Sequence, residues 1–140
     1  MKKIVFVCLG NICRSPMAEF VMKRLTDQLK IESRATSSWE YGNPIHRGTQ
    51  AIFKKYDIAH DRNKTSQQIS AADFADFDYI IGMDESNVRD LKRMAPEDFQ
   101  HKIYQFEEES VPDPWYTGDF DQTYDLVLAG CEKWLERLDG

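Results

Sequence analysis

Cys8 and Arg14 stand at the two ends of one short stretch, Cys8-Leu9-Gly10-Asn11-Ile12-Cys13-Arg14, with Ser15 immediately after it. A thiol and a guanidinium at that spacing suit the capture of a phosphate. A loop of this length can wrap until its backbone N–H groups point inward as an anion nest. Arg14 offers a planar fork for two phosphate oxygens. Cys8 at the base of the nest sits in positive potential, which favours its thiolate, and Ser15 is placed to donate a hydrogen bond to it. Leu9, Gly10, Asn11, Ile12, Cys13, Arg14 and Ser15 are the expected phosphate cradle. Gly10 and Asn11 are expected to supply the left-handed backbone angles that the wrap requires. A bare pairing of Cys with a nearby Arg is a weak signal, because a cysteine closing a buried strand is ordinarily a small core residue. The context has to carry the reading.

The elements around the loop supply that context. Residues 3–8 form a near-continuous apolar run, as a strand buried on both faces of a parallel sheet requires. From Ser15 the period becomes helical: Ala18, Val21, Met22, Leu25 and Leu29 recur on one face, and Pro16 suits the first turn. The loop therefore joins a strand to a helix, where open α/β sheets bind ligands and where the helix N-terminus adds positive potential. Residues 78–83 read as a second buried strand running into a helix start at Asp84, Glu85 and Ser86. Residues 101–106 and, more weakly, 31–37 read as further strands, and 46–57 as a helix. Tyr124, Val127, Leu128, Cys131, Leu135 and Leu138 mark an amphipathic C-terminal helix. Alternating strands and helices predict an α/β fold with a small parallel sheet, in a single domain over residues 1–140. The polar stretch 57–73 shows no readable period.

A thiolate and an arginine still lack a proton donor for a leaving group. Asp113 is the candidate. It lies between Pro112 and Pro114, which would stiffen the loop presenting it. A Pro-Asp-Pro string is equally a common turn, so the chemical need, and not the local pattern, singles Asp113 out; Asp119 and Asp121 are the alternatives. Trp115 and Tyr116 next to it could wall a slot for a flat aromatic group. Tyr124 and Trp134 belong to the C-terminal helix and count as core. Cys13 is either a packing residue or a resolving thiol for oxidised Cys8. Cys131 lies on an apolar helix face, Asn11 reads as a loop-shaping residue, and Asp84 and Glu85 are accounted for by the helix they start.

The chain has 140 residues, enough for one real core. Its net charge of −6 argues against general binding to nucleic acid or anionic membranes. No apolar run approaches the roughly 20 residues of a membrane helix. The apolar run after Lys2 and Lys3 ends at Leu9 with no small-residue cleavage site after it, so a signal peptide is not expected. The three cysteines fit neither complete disulfide pairing nor a zinc framework, and a reducing, cytoplasmic setting follows. No cofactor or metal is implied. Oligomeric state is not legible.

Cys8-Leu-Gly-Asn-Ile-Cys-Arg-Ser-Pro16 resembles the signature loop of the low-molecular-weight protein tyrosine phosphatases. Asp113-Pro-Trp-Tyr116 resembles that family's acid loop. Ala35-Thr-Ser-Ser-Trp39, Gly42-Asn-Pro44 and Met83-Asp-Glu-Ser-Asn87 are also similar to the family, and the likeness spans nearly the whole chain. The resemblance implies a four-stranded parallel sheet flanked by helices on both faces. It implies metal-independent hydrolysis of phosphotyrosine or small aryl phosphates through a phosphocysteine on Cys8, with Arg14 and Asp113 catalytic. It also implies that Trp39 joins Trp115 and Tyr116 as a pocket wall. The partners are then tyrosine-phosphorylated proteins. One departure concerns His60-Asp-Arg-Asn-Lys-Thr-Ser-Gln-Gln68, where family members often carry a His or Arg whose register is not fixed here. Two other functions compete. An arsenate reductase on the same scaffold needs further cysteines for a disulfide relay, and only Cys131 remains. A non-catalytic anion-binding module would have no use for Asp113.

Overall fold

The computed structural model describes residues 1–139. Four strands form one all-parallel sheet: β1 (Lys2–Cys8), β2 (Leu29–Ala35), β3 (Tyr79–Gly82) and β4 (Ile103–Gln105), in the order β2-β1-β3-β4. The helices are α1 (Arg14–Leu25), α2 (Arg47–Lys55), α3 (Ala71–Asp76), α4 (Glu85–Met94), α5 (Pro114–Thr117) and α6 (Phe120–Asp139), with a 3₁₀ turn over Glu97–Lys102. No helix among the described residues is long and apolar enough to cross a membrane.

The sequence of β1 decides the layering. Ile4, Phe6 and Cys8 point to one face, where they meet α1 and α6 residues such as Met17, Val21, Val127 and Cys131. Val5 and Val7 point to the other, against Phe74, Phe77 and Leu91. Successive strand side chains alternate between faces, so an unbroken apolar run needs a helical layer on each side. The chain leaves β1 towards β2 on one flank and reaches β3 on the other. The carboxyl end of β1 is therefore the switch point of the sheet, the usual ligand crevice of such folds. Cys8 occupies it.

The elements match the expected ones with local differences. Leu29, expected on the face of the first helix, opens β2 instead, because α1 ends at Leu25 with Thr26 extended. The strand expected over 101–106 shortens to Ile103–Gln105 because the 3₁₀ turn takes up the residues before it. In the stretch without a readable period, Ile58, Ser66 and Ile69 are buried, and α3 begins at a capping box between Ser70 and Asp73. That stretch is pinned by bridges from Gln68 to Ala35 and from Thr65 to Pro44.

Candidate active site

The loop after β1 is held from outside. Cys8 O accepts from Thr36 N, Leu9 O from Ser37 N and Oγ, Gly10 O from Ser66 Oγ, Ile12 O from His46 N, and Cys13 O from Thr49 Oγ1. With its carbonyls drawn outward, the loop leaves its N–H groups for the concave side. Asn11 supplies the left-handed turn at φ 56°. Gly10 does not, against expectation: its φ lies outside that region, and a Cβ there would come within 3.3 Å of Glu40 Cγ. A side chain at position 10 would need the Glu40 side chain to give by a few tenths of an ångström.

Cys8 Sγ lies 3.0 Å from Ser15 Oγ and accepts from Asn11 N at 3.3 Å and Ser15 N at 3.4 Å. Asn11 Nδ2 donates to Ser15 Oγ at 2.8 Å, and the Ser15 hydroxyl proton has two acceptors in reach, the sulfur and, at 3.4 Å, Arg34 O. The other end of Asn11 accepts from Gln67 N at 3.1 Å and Lys64 Nζ at 3.2 Å. Lys64 also donates to Ser33 O at 3.0 Å. Burial pushes the Lys64 pKa down, with Glu19 opposing the shift. Within His60–Gln68, Lys64 is the cation that reaches Asn11. It places a cation three hydrogen bonds from the sulfur, through Asn11 and Ser15.

Arg14 is 2% exposed. Its Nη1 donates to Asp84 Oδ2 at 2.6 Å and to Val111 O at 3.0 Å, and Nη2 donates to Asp113 Oδ2 at 3.3 Å. Nε has no partner. Both Nη1 hydrogens are taken, so the Nε–Nη2 edge is the part of the guanidinium left for a bidentate anion. Burial works against the Arg14 charge, but Cys8, Asp84 and Asp113 outweigh it and hold the pKa above its ordinary value. Burial likewise opposes ionisation of Asp84, yet the Arg14 bond and the α4 N–H of Asn87 hold its carboxyl below the usual range. Asp84 therefore does more than start a helix. Asp113 Oδ1 accepts from Trp115 N at 3.0 Å, capping α5. The alternatives to Asp113 have other work: Asp119 Oδ1 accepts from Gln122 N, and Asp121 pairs with Lys55.

A cavity of about 130 Å³ brings together Cys8, Leu9, Gly10, Ile12, Cys13, Arg14, Trp39, Asp113, Trp115 and Tyr116. Asn11 and Ser15 stand behind it, bonded to the sulfur. Trp39, Trp115 and Tyr116 are exposed, which removes a core role for them. Glu40, unforeseen in the sequence, joins the rim. Burial and the neighbouring Cys8 charge push the Cys13 thiol up, so it stays protonated. Cys131 is fully buried on α6. Asp84, Lys64 and His46 were also missed as site residues. Met83–Asn87 and His60–Gln68 pointed to the right segments, and nothing local pointed to His46.

The family profile described as low molecular weight phosphotyrosine protein phosphatase matches residues 3–140. The curated low molecular weight protein-tyrosine-phosphatase PtpA of Staphylococcus aureus is 45% identical, over 99% of this chain and 94% of its own. The crystal structure of SP-PTP, a low molecular weight protein tyrosine phosphatase from Streptococcus pyogenes, is 61% identical with a TM-score of 0.97, covering 99% of this chain and 93% of that one. An arginine phosphatase from Drosophila is 33% identical with a TM-score of 0.89, covering 100% of this chain and 99% of that one.

Proposed function

The chain belongs to the low molecular weight phosphotyrosine protein phosphatase family, and on that premise we propose that it hydrolyses phosphotyrosine through a phosphocysteine at Cys8, without a metal. Cys8 attacks phosphorus in line with the leaving phenolate oxygen. The P–O bond breaks as the S–P bond forms, and Asp113 protonates the departing oxygen. The loop N–H groups and the Nε–Nη2 edge of Arg14 carry the equatorial oxygens, where transition-state charge collects. A water, deprotonated by Asp113, then attacks the phosphocysteine and releases inorganic phosphate and the thiolate.

The observation that carries this reading is the surroundings of Cys8 Sγ. Asn11 N and Ser15 N donate to it at 3.3 and 3.4 Å and Ser15 Oγ lies 3.0 Å away, in a cavity shared with the Arg14 guanidinium and the Asp113 carboxylate. Trp39, Trp115 and Tyr116 on the rim suit an aryl group, which supports tyrosine-phosphorylated proteins and small aryl phosphates as the substrates, and three free cysteines support the reducing cytoplasm as the setting. The fold also carries a relative named an arginine phosphatase, so the leaving group is set by these walls and not by the scaffold. The arsenate-reductase alternative loses support because Cys131 is fully buried, its Sγ 3.8 Å from Ala18 O and its thiol pushed up by burial.

Acid quench during turnover of radiolabelled phosphotyrosine should trap label on Cys8. Cys8→Ser should trap none and turn over none, while still binding vanadate. Chelator should leave the wild-type rate unchanged. Residual turnover in Cys8→Ser, or label elsewhere, rejects the mechanism.

A further inference from the structure

We infer that His46 is a positioning residue that registers the acid loop over the phosphate loop and so governs how well Asp113 serves the leaving group. The inference rests on Asp113 being the general acid, as proposed above. His46 does not line the cavity, yet it is bonded to both sides of it. Its backbone N–H donates to Ile12 O in the phosphate loop at 2.8 Å. Its Nδ1 accepts from Gly48 N at 2.9 Å and caps α2, the helix whose Thr49 Oγ1 holds Cys13 O at 3.1 Å. An accepting Nδ1 places the proton of the neutral ring on Nε2.

The imidazole then reaches the acid loop. It stacks on Phe120, with centroids 5.1 Å apart and planes 16° apart, and it meets Trp115 edge to face at 5.5 Å and 78°. Both are favoured aromatic geometries. Trp115 is the residue whose N–H holds Asp113 Oδ1. One ring therefore links Ile12, through the His46 backbone, to Asp113, through Trp115. The packing around it is tight. A Cβ at Gly48 would stand 2.3 Å from the Phe120 ring, so α2 and the start of α6 touch beside the imidazole. Ahead of Trp115 the acid loop is fixed by Val111 N on Met83 O and by Arg14 on Val111 O and Asp113 Oδ2, and His46 adds the hold on Trp115 itself. The loop's helix α5 is only four residues long, and Trp115, Tyr116 and Thr117 are exposed.

Two substitutions separate the ring from the cap. His46→Asn keeps a side-chain acceptor for Gly48 N and removes the aromatic plate. His46→Phe keeps the plate and removes the acceptor. The readout is the ratio of kcat/KM on p-nitrophenyl phosphate to kcat/KM on phosphotyrosine, which rises when acid catalysis is lost, because p-nitrophenolate leaves without a proton. Asp113→Asn is run beside them as the upper limit. His46→Asn should raise the ratio about 10-fold, part of the 10²–10⁴ worth of a well-placed acid. His46→Phe should keep the ratio within about two-fold of wild type while lowering the melting temperature, as loss of a cap does. If His46→Asn does not fold, Phe120→Leu removes the stacking partner with the cap intact and should raise the ratio in the same direction. A ratio unchanged in His46→Asn, with both substrates slowed alike, overturns the inference and leaves His46 a cap alone. An equal rise in His46→Asn and His46→Phe overturns it too. If the ratio rises in Asp113→Asn but not in His46→Asn, only the role of His46 falls. If it does not rise in Asp113→Asn, the reading of Asp113 falls and the inference with it.

Discussion

Arg14 and Asp84, 70 positions apart in the chain, are joined by a 2.6 Å hydrogen bond from Nη1 to Oδ2. The other oxygen of the same carboxylate accepts from Asn87 N at 2.7 Å and Ser86 Oγ at 2.8 Å, capping α4. One side chain thus ties the start of a helix to Arg14. The tie turns the guanidinium so that its Nε–Nη2 edge is free. The pair also ranks above ordinary surface ion pairs, because Arg14 is buried and Asp84 is only 19% exposed.

Replacing Asp84 with Asn should lower kcat/KM on aryl phosphates about 10-fold or more, since a fork displaced by even 1 Å loses its transition-state geometry. The stability difference between wild type and this variant should depend on pH. The Arg14 bond and its neighbours hold the Asp84 carboxyl below its ordinary value, against the pull of burial. A depressed carboxyl contributes stability that is fully present above the unfolded value, near 3.9, and is lost as pH falls through the folded one. Urea unfolding at neutral pH should therefore separate wild type from Asp84→Asn, and the gap should close below about pH 4. A gap of constant size would mean that Asp84 is not an ionised partner of Arg14.

Lys64 should matter more to rate than to stability. Its ammonium costs desolvation, as its lowered pKa records, but it satisfies Asn11 Oδ1 and Ser33 O. In Lys64→Met those two effects oppose each other, and the melting temperature should stay within a few degrees of wild type. The rate should fall about 10-fold, because a cation wired through Asn11 and Ser15 to the thiolate is lost and electrostatic preorganisation goes with it. Steady-state rates alongside thermal melts distinguish this from simple loss of folding. An unchanged rate would reduce Lys64 to a prop for the loop at Ser33.

The pattern of what was legible follows from how local each signal is. The strand over residues 2–8 and the helix after it are written in consecutive residues, so the loop between them could be located. The long C-terminal helix was equally plain. Asp113 stood out only through the proton donor that the reading required, since its Pro-Asp-Pro setting is an ordinary turn. Asp84 was read as a helix cap, which it is; its second bond goes to a residue 70 positions away, and no local pattern encodes that. The stretch 57–73 has no period because it is mostly irregular and its residues divide among the two core layers and the loop after β1, Ile58 packing on one face of the sheet and Ile69 on the other. Its buried Ile58, Ser66 and Ile69 are spaced irregularly, and Lys64 and Ser66 point into the phosphate loop. Gly10 was assigned the wrong reason: the left-handed turn falls on Asn11, where the side chain can bond on both sides.

The exposed aromatics give a test of substrate class. Trp115 is 55% exposed and Tyr116 77%, beside the acid. Trp115→Ala should raise KM for phosphotyrosine several-fold and leave the inhibition constant of inorganic phosphate unchanged, because phosphate touches the loop and not the wall. Equal weakening of both would mean that Trp115 serves the shape of α5 and not the aryl group.

Asp113→Asn should affect the two chemical steps differently for two substrates. With phosphotyrosine, departure of a phenolate of pKa near 10 needs a proton, so the first step should slow by roughly 10²–10⁴. With p-nitrophenyl phosphate, the more acidic phenol leaves as the anion and the first step should remain fast. The second step is common to both, and it loses its base. The variant should therefore release a burst of p-nitrophenol equal to the enzyme present, followed by slow turnover as phosphocysteine accumulates, the usual kinetic sign of a covalent intermediate. With phosphotyrosine no burst should appear, because formation of the intermediate is slowed as well. Rapid-mixing measurements on the two substrates read this directly. A burst with neither, together with equal slowing of both, would make Asp113 only the residue that caps α5 through Trp115 N and steadies Arg14.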